Sequence, residues 1–283
     1  MIKNNIVSYI GQYAELKVAK LVDFGVYLEG DDEALILLPN QYVPQKTQLD
    51  DTIKVFIYRD SEDRIIATTL NPKATVGEFA VMKVKSVTNI GAFLDWGLAK
   101  DLLVPFSEQK DKMQADQSYL VYVYLDSATG RVVATAKIEK VLIDVEANYN
   151  EGDEVDILVG RRTDLGYQAL IDNDALGILY KNEIFGNLKT GDQRKAYIKK
   201  VRSDGKIDLS LQQQGYLNEV PKIGQLILDF LKEEEGFLPL NDKSSPEDIY
   251  YTLKMSKKNF KKAIGLLYKQ KLITIEETGI YLK

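Results

Sequence analysis

The 283-residue chain has no histidine and no cysteine, a single tryptophan and only seven prolines. The first two absences remove whole classes of chemistry. No Ser–His or Cys–His nucleophilic pair can form, and no Cys/His zinc site. Disulfide stapling is excluded as well. General acid–base catalysis loses the one side chain that titrates unperturbed near neutrality. Only carboxylate chemistry or an oxygen-ligated magnesium would remain to an enzyme. The acids are scattered over turns without recognisable metal spacing, so neither a catalytic residue nor a metal or other cofactor is expected. No apolar run reaches the ~20 residues of a membrane helix, and no membrane partner is expected. The start, Met1-Ile2-Lys3-Asn4-Asn5, lacks a basic region ahead of an apolar core, so the cytoplasm is the expected compartment. Thirty-seven basic against 42 acidic residues leave a net charge of −5, which speaks against a uniformly basic coat.

What is present is a repeat. Three segments open with an alternating strand that runs into a Gly-centred turn: Phe24-Gly25-Val26-Tyr27-Leu28, Ile90-Gly91-Ala92-Phe93-Leu94 and Leu165-Gly166-Tyr167-Gln168-Ala169. A short apolar segment follows in each, at Leu37-Leu38-Pro39, Leu103-Val104-Pro105-Phe106 and Ile178-Leu179-Tyr180. Another alternating strand comes next, and Phe56 and Tyr58 align there with Tyr122 and Tyr124, and with Ile198 and Lys200. The units close at Arg64–Thr68, Arg131–Thr135 and Lys206–Ser210. Short period-2 strands joined by turns, in units of about 60–70 residues, predict three tandem five-stranded antiparallel barrels. A single large β-sandwich is the competing architecture.

Beyond the third unit the pattern changes to helical. Ile223, Leu226, Ile227, Phe230 and Leu231 make one amphipathic face. Ser245-Pro246-Glu247-Asp248 reads as an N-cap, a first-position Pro and first-turn acids. Ser256 caps a third helix with Phe260, Ala263, Ile264 and Leu267 on its buried side, and Leu272–Leu282 reads as a hairpin turning at Glu277-Thr278-Gly279. Three helices and a terminal hairpin are the winged-helix order. The expected fold is therefore mainly β with a C-terminal α+β domain. Its parts are barrels at 1–73, 74–145 and 146–214 and a winged helix at 219–283. The joins near Asn71–Thr75 and Glu146–Glu151 are short, which suggests fixed packing between barrels.

An exposed barrel face with aromatic rings can stack on unpaired bases while Arg and Lys attract phosphates. Phe24, Tyr27 and Phe93 flank the Gly turns, and the third unit adds Tyr180, Arg161, Arg162, Lys199, Lys200 and Arg202. Packing inside or between barrels is the alternative for each ring. Of the four segments only the last is net positive, and Lys257, Lys258, Lys261 and Lys262 crowd the start of its third helix, the recognition helix of a winged helix. A solvated lysine face is the alternative there.

These units resemble the RNA-binding OB barrel named after ribosomal protein S-one. Phe24-Gly25-Val26-Tyr27 matches the opening of its motif, and Asp60…Arg64, Asp126…Arg131 and Leu209-Ser210 match its ending. The whole chain is similar to the bacterial conserved virulence factor B (CvfB) family, above all at Gly236–Ile249 and Met255–Gly265. The resemblance implies an RNA-binding protein of the bacterial cytoplasm that acts after transcription, with no catalytic residues. The motif's His position is Pro39, Pro105 and Tyr180 here, so only the third unit keeps a stacking ring there. The third unit and the winged helix are therefore expected to carry the main RNA surface. The leading expectation is a monomeric, non-enzymatic binder of single-stranded RNA with loose sequence preference. A DNA-binding regulator working through the winged helix, a protein-binding scaffold and a magnesium nuclease are the competing classes.

Overall fold

The computed structural model describes residues 9–30, 34–142, 148–181, 184, 187–211 and 222–283, without side chains at 222 and 223. The Met1–Asn5 start, Glu146 and Ala147 of the second join, and the Ile223 side chain lie outside the described residues. The chain divides into two compact units, residues 1–212 and 213–283.

The first unit holds three barrels. The first is β1 (Tyr13–Val22), β2 (Gly25–Glu29), β3 (Leu35–Pro39), β4 (Thr52–Arg59) and β5 (Ile65–Thr68). The second is β6 (Phe79–Val87), β7 (Gly91–Leu94), β8 (Leu102–Pro105), β9 (Ser118–Leu125) and β10 (Val132–Thr135). A one-turn helix, α1 (Ile138–Val141), leads to β11 (Glu154–Arg162), β12 (Gly166–Ile171), β13 (Ala175–Tyr180), β14 (Gln193–Val201) and β15 (Ile207–Ser210). Barrels one and three are closed, in the order β1-β2-β3-β5-β4 and its equivalent. The closing pairs, Leu37 with Ile66 and Gly177–Leu179 with Ile207–Leu209, are parallel, so the barrels are not purely antiparallel as expected. The middle unit keeps the same strand order, β10-β9-β6-β7-β8, without a closing ladder.

The repeated glycine has a steric cause. Gly25, Gly91 and Gly166 sit at φ near +156° to +158°, where a Cβ would stand 2.2, 2.3 and 1.9 Å from the carbonyl oxygens of Leu38, Val104 and Leu179 on the next strand. Only a residue without Cβ lets β2, β7 and β12 approach their neighbours this closely.

The barrels are fused by their side chains. Phe56 and Tyr58 leave barrel one on its outer face and join a core with Met82, Val84, Trp96 and Val123 of barrel two. Phe56 meets Trp96 edge-on at 5.5 Å and Tyr13 at 5.5 Å. The first join is pinned into this core: Trp96 Nε1 donates to the Ala74 carbonyl at 2.7 Å, and the Lys73 amide donates to Trp96 at 2.8 Å. A smaller junction links barrels two and three through Leu120, Ile138 and Leu170, flanked by Phe79 and Tyr122, whose rings lie 4.8 Å apart. At ~1.5–3 kcal/mol for each fully buried large side chain, these junctions hold the three barrels as one body. Packing, not base stacking, is thus the role of Phe56, Tyr58 and Tyr122.

The second unit runs α2 (Lys222–Glu233), β16 (Phe237–Leu238), α3 (Pro246–Leu253), α4 (Lys257–Lys269), β17 (Ile273–Ile275) and β18 (Ile280–Leu282). It is a winged helix, and the short strand β16, which pairs with β18, adds a third strand to the expected hairpin. Ser245 Oγ accepts from the Asp248 amide and Ser256 Oγ from the Asn259 amide, so both helix starts are capped as their sequences suggest. Phe260, Ala263, Ile264 and Leu267 are buried beneath α4. Leu226 departs from the expected α2 face. It is 56 % exposed, and Leu228 joins Ile227 and Leu231 in the core instead. The core lies one residue further round the helix than the apolar spacing indicated.

Candidate nucleic-acid interface

Strand pairing aligns the three sheet faces residue by residue. Gly25, Gly91 and Gly166 oppose Pro39, Pro105 and Tyr180. Two residues on, the outward positions Tyr27, Phe93 and Gln168 oppose Leu37, Leu103 and Ile178. Each outward residue is half-buried between fully buried neighbours of its own strand in the first two units. Before each glycine stands an exposed apolar residue: Phe24 at 58 %, Ile90 at 54 % and Leu165 at 58 %. In barrel one, Phe24 and Tyr27 meet edge-to-face with centroids 6.3 Å apart. Together they form a two-ring platform on a rigid strand.

The third barrel redistributes these groups. Its strand aromatic, Tyr167, takes the inward place of Val26 and Ala92, packs on the barrel core and donates its hydroxyl to the Leu188 carbonyl at 3.0 Å. The ring on the sheet comes from Tyr180 instead. Arg202 spans it, with the guanidinium 5.9 Å from the ring centroid, donates to the Tyr180 hydroxyl, and pairs with Asp208 at 3.0–3.1 Å. The Tyr180 hydroxyl also lies 3.3 Å from Asp208. The hydrogen bond to Asp208 pushes the Arg202 pKa upward, so this cation is permanent but largely neutralised by its own carboxylate.

β14 carries a bulge between Ile198 and Lys200. Tyr197, not Ile198, therefore occupies the place of Phe56 and Tyr122, opposite the closing hydroxyl of Ser210 as those two lie opposite Thr68 and Thr135. The extra residue shifts the register by one, which simple counting along the sequence cannot see. Lys200 does fall in the Tyr58 position, exposed and opposite Asp208, while Lys199 is half-buried at the bulge.

Arg161 and Arg162 sit at the end of β11, in a cleft of about 830 Å³ shared with Lys110 and Asp111 of barrel two. Arg161 is ion-paired to Asp111, while its Nε is buried without a hydrogen-bond partner. Gln168 donates to Glu139 at 3.3 Å, and Lys110 is paired with the same carboxylate. The outward face of barrel three is thus partly capped by acids from the segment before it.

On the winged helix, Lys258, Lys261 and Lys262 are exposed on α4 and Lys257 is half-buried. Lys261 lies 4.0 Å from Asp242, and Lys257 Nζ reaches the Lys243 carbonyl at 3.5 Å. Lys261 is thus paired with Asp242, whereas Lys257, Lys258 and Lys262 have no ion pair among the described residues. No cluster of potential metal ligands occurs among the described residues. No described helix is long and apolar enough to cross a membrane.

Two domain families match this chain. The S1 domain matches residues 10–70 and again 76–137, and the CvfB-like winged helix domain matches residues 225–282. The chain thus carries S1 domains and a CvfB-like winged helix domain. Conserved virulence factor B of Staphylococcus epidermidis is 27 % identical over 96 % of this chain and 94 % of its own length, and the Staphylococcus aureus protein of that name gives the same figures. The protein YitL of Bacillus subtilis is 28 % identical over 96 % and 93 %. Among solved structures, a multidomain protein with nucleic acid binding domains from Streptococcus pneumoniae aligns with 98 % of this chain and 99 % of its own, at 23 % identity and a TM-score of 0.48. Both domain types in this chain are nucleic-acid-binding, regulatory types.

Tertiary structure adds Arg59, Lys100, Tyr250 and Tyr251, which motif reading did not single out, and sets them in context. Arg59, Lys100 and Arg131 converge beside Phe93 where barrels one and two meet. On α3, Tyr250 and Tyr251 stand 60 % and 81 % exposed with Lys254 Nζ between their rings, 5.7 and 5.3 Å from the centroids. The Tyr-Tyr pair was a visible signal in the sequence and Arg131 closes the repeated motif, whereas Arg59 and Lys100 come from segments remote along the chain and carried none.

Proposed function

We propose that the protein is a non-enzymatic, monomeric binder of single-stranded RNA. It acts in the cytoplasm in post-transcriptional control of gene expression, in line with the virulence role that its relatives' printed name carries. The observation that supports this reading best is the outward aromatic ring repeated on the sheet face, exposed at Phe24 and half-buried at Tyr27 and Tyr180. Phe24 with Tyr27 in barrel one and Tyr180 with Arg202 in barrel three each set a flat ring beside the repeated glycine turn. Rings so placed accept any base by stacking, at roughly 1–3 kcal/mol per base, and nearby cations hold the phosphates. Arg161, Arg162, Lys199 and Lys200 are the phosphate contacts of barrel three in this reading, and Phe93 is the ring of barrel two. The test is equilibrium binding of a fluorescent oligouridylate at fixed salt. Tyr180→Ala and Phe24→Ala should each weaken binding roughly tenfold, and Lys200→Ala should weaken it less while flattening the salt dependence. Unchanged affinity in all three would refute the assignment.

One observation favours duplex DNA as a second ligand. Lys258, Lys261 and Lys262 are exposed on α4, the helix that enters the major groove in winged-helix proteins. Competition between duplex DNA and the oligouridylate, with Lys258→Ala and Lys262→Ala variants, separates the two. Loss of duplex affinity alone assigns α4 to DNA, and parallel loss assigns it to the RNA surface.

A further inference from the structure

At the junction of barrels one and two lies a small pocket of about 130 Å³, lined by the Phe93 ring, Ile90 and Leu103 on one side and by Arg59, Lys100 and Arg131 on the other. The apolar wall is the outward sheet face of barrel two. Arg59 comes from the end of β4 in barrel one, Lys100 from the β7–β8 turn and Arg131 from the start of β10. The charges do not balance. Arg131 is paired with Asp63 of barrel one. Asp101, also at the rim, is held by Lys85 at 2.7 Å. Arg59 and Lys100 have no carboxylate partner among the described residues. Arg59 donates to the main-chain oxygens of Gly130 and Asp63 at 3.2 and 2.7 Å, and Lys100 Nζ to those of Arg59 and Asp60 at 3.0 and 2.7 Å. Two half-buried cations are thus fixed against each other by carbonyl groups, with burial already pushing the Lys100 pKa down. Such an arrangement is costly unless an anion completes it.

We propose that this inter-barrel pocket binds one nucleotide unit of a single strand, its base against Phe93 and its phosphate between Lys100, Arg59 and Arg131. The volume, about 130 Å³, is below that of pockets for drug-sized ligands, so it seats one group of the nucleotide while the other lies on the rim of the pocket. The pocket exists only because the Phe56–Trp96 core fixes one barrel on the other, so barrels one and two bind as a pair and not as two independent modules. This rests on the nucleic-acid-binding reading, and it places a site in the first two units, where Pro39 and Pro105 replace the motif's stacking ring.

The experiment measures binding of the fluorescent oligouridylate to the full chain over a salt series, and the thermal shift produced by uridine monophosphate. Phe93→Leu keeps the apolar wall and removes the ring. It should weaken oligouridylate binding roughly tenfold with an unchanged salt slope. Lys100→Gln should weaken binding and reduce the slope by about 0.7, the value for one phosphate contact on a single strand. Arg131→Gln, at a more exposed position that leaves the carbonyl staples intact, supplies the same readout if Lys100→Gln does not fold. Parental affinity and slope in both Phe93→Leu and the cation variant overturn the pocket while leaving RNA binding elsewhere intact. If the parent binds no oligouridylate, the RNA reading itself falls. The pocket is then judged by uridine monophosphate alone: a raised melting temperature in the parent but not in Phe93→Leu supports a free-nucleotide site, and no shift overturns it.

Discussion

Replacing Phe56 by Ala should uncouple the first two barrels. The ring is fully buried, although β4 points it away from the interior of its own barrel. It touches Tyr13 and Trp96 edge-on at 5.5 Å and stacks on Tyr58 at 6.3 Å. Truncating a buried Phe costs about 3–5 kcal/mol, and a site whose three neighbours are rigid rings collapses poorly, which favours the upper half of that range. Against a total stability of ~5–15 kcal/mol this is a large share. Trp96 is the only tryptophan in the chain, so urea denaturation followed by its fluorescence reports on this junction directly. The variant should shift the Trp96 transition to lower urea by an amount equivalent to about 4 kcal/mol. Phe24→Ala, whose ring is 58 % exposed, should leave the transition within about 0.5 kcal/mol. A Phe56→Ala loss below ~1 kcal/mol would refute the argument that the two barrels share one core. The same variant should also lower oligouridylate affinity, because the pocket beside Phe93 is assembled across this junction.

Tyr58 in that core has its pKa pushed up to about 12, first by burial and then by Tyr42 and Asp60. The unfolded phenol ionises near pH 10 while the folded one stays protonated, so the stability it contributes is intact below pH ~10 and falls as pH rises towards 12. Chemical denaturation across this range should show the decline in the parent and a smaller one in Tyr58→Phe. Gly91→Ala places a Cβ against the Val104 carbonyl at a φ of +156° and should cost about 2–4 kcal/mol, read by thermal melting. A loss comparable to an exposed surface substitution would show that the strand approach is not what the glycine serves. Asp208→Asn removes the counter-charge of Arg202 while keeping a similar shape, and should tighten oligouridylate binding and steepen its salt slope by about 0.7. Weaker binding would show instead that Asp208 is needed to hold Arg202 over Tyr180.

Much of the architecture was legible because it rests on local rules. Alternating strands, the steric demand of a glycine under a neighbouring carbonyl, and the Ser245 and Ser256 caps act within a few residues of chain. They recur three times or carry a recognisable cap, so the barrels and the winged helix could be read directly. Leu226 and Ile198 were misplaced for one reason. A helix face and a bulged strand are both set by what packs or pairs against them, and an offset of one residue is invisible to periodicity. The candidate site was legible in part. Phe24, Tyr27, Phe93 and Tyr180 stand on the sheet faces where the motif puts them, since strand register fixes the outward side.

What the sequence determined alone is the list of modules and the chemistry open to them: no histidine or cysteine reaction, three glycine-pinned sheet units, and a basic helix in the last domain. The tertiary structure decided which rings are free and which cations are spent. Phe56, Tyr58 and Tyr122 look in sequence like Phe24 and Tyr27, yet they weld barrels together, because an outward aromatic stays exposed only where no neighbour covers it. Arg202 and Arg161 carry carboxylate partners, whereas among the described residues Arg59 and Lys100 hold only carbonyl groups. Ion pairing depends on distances of a few ångströms between segments remote along the chain, and only folding sets those distances.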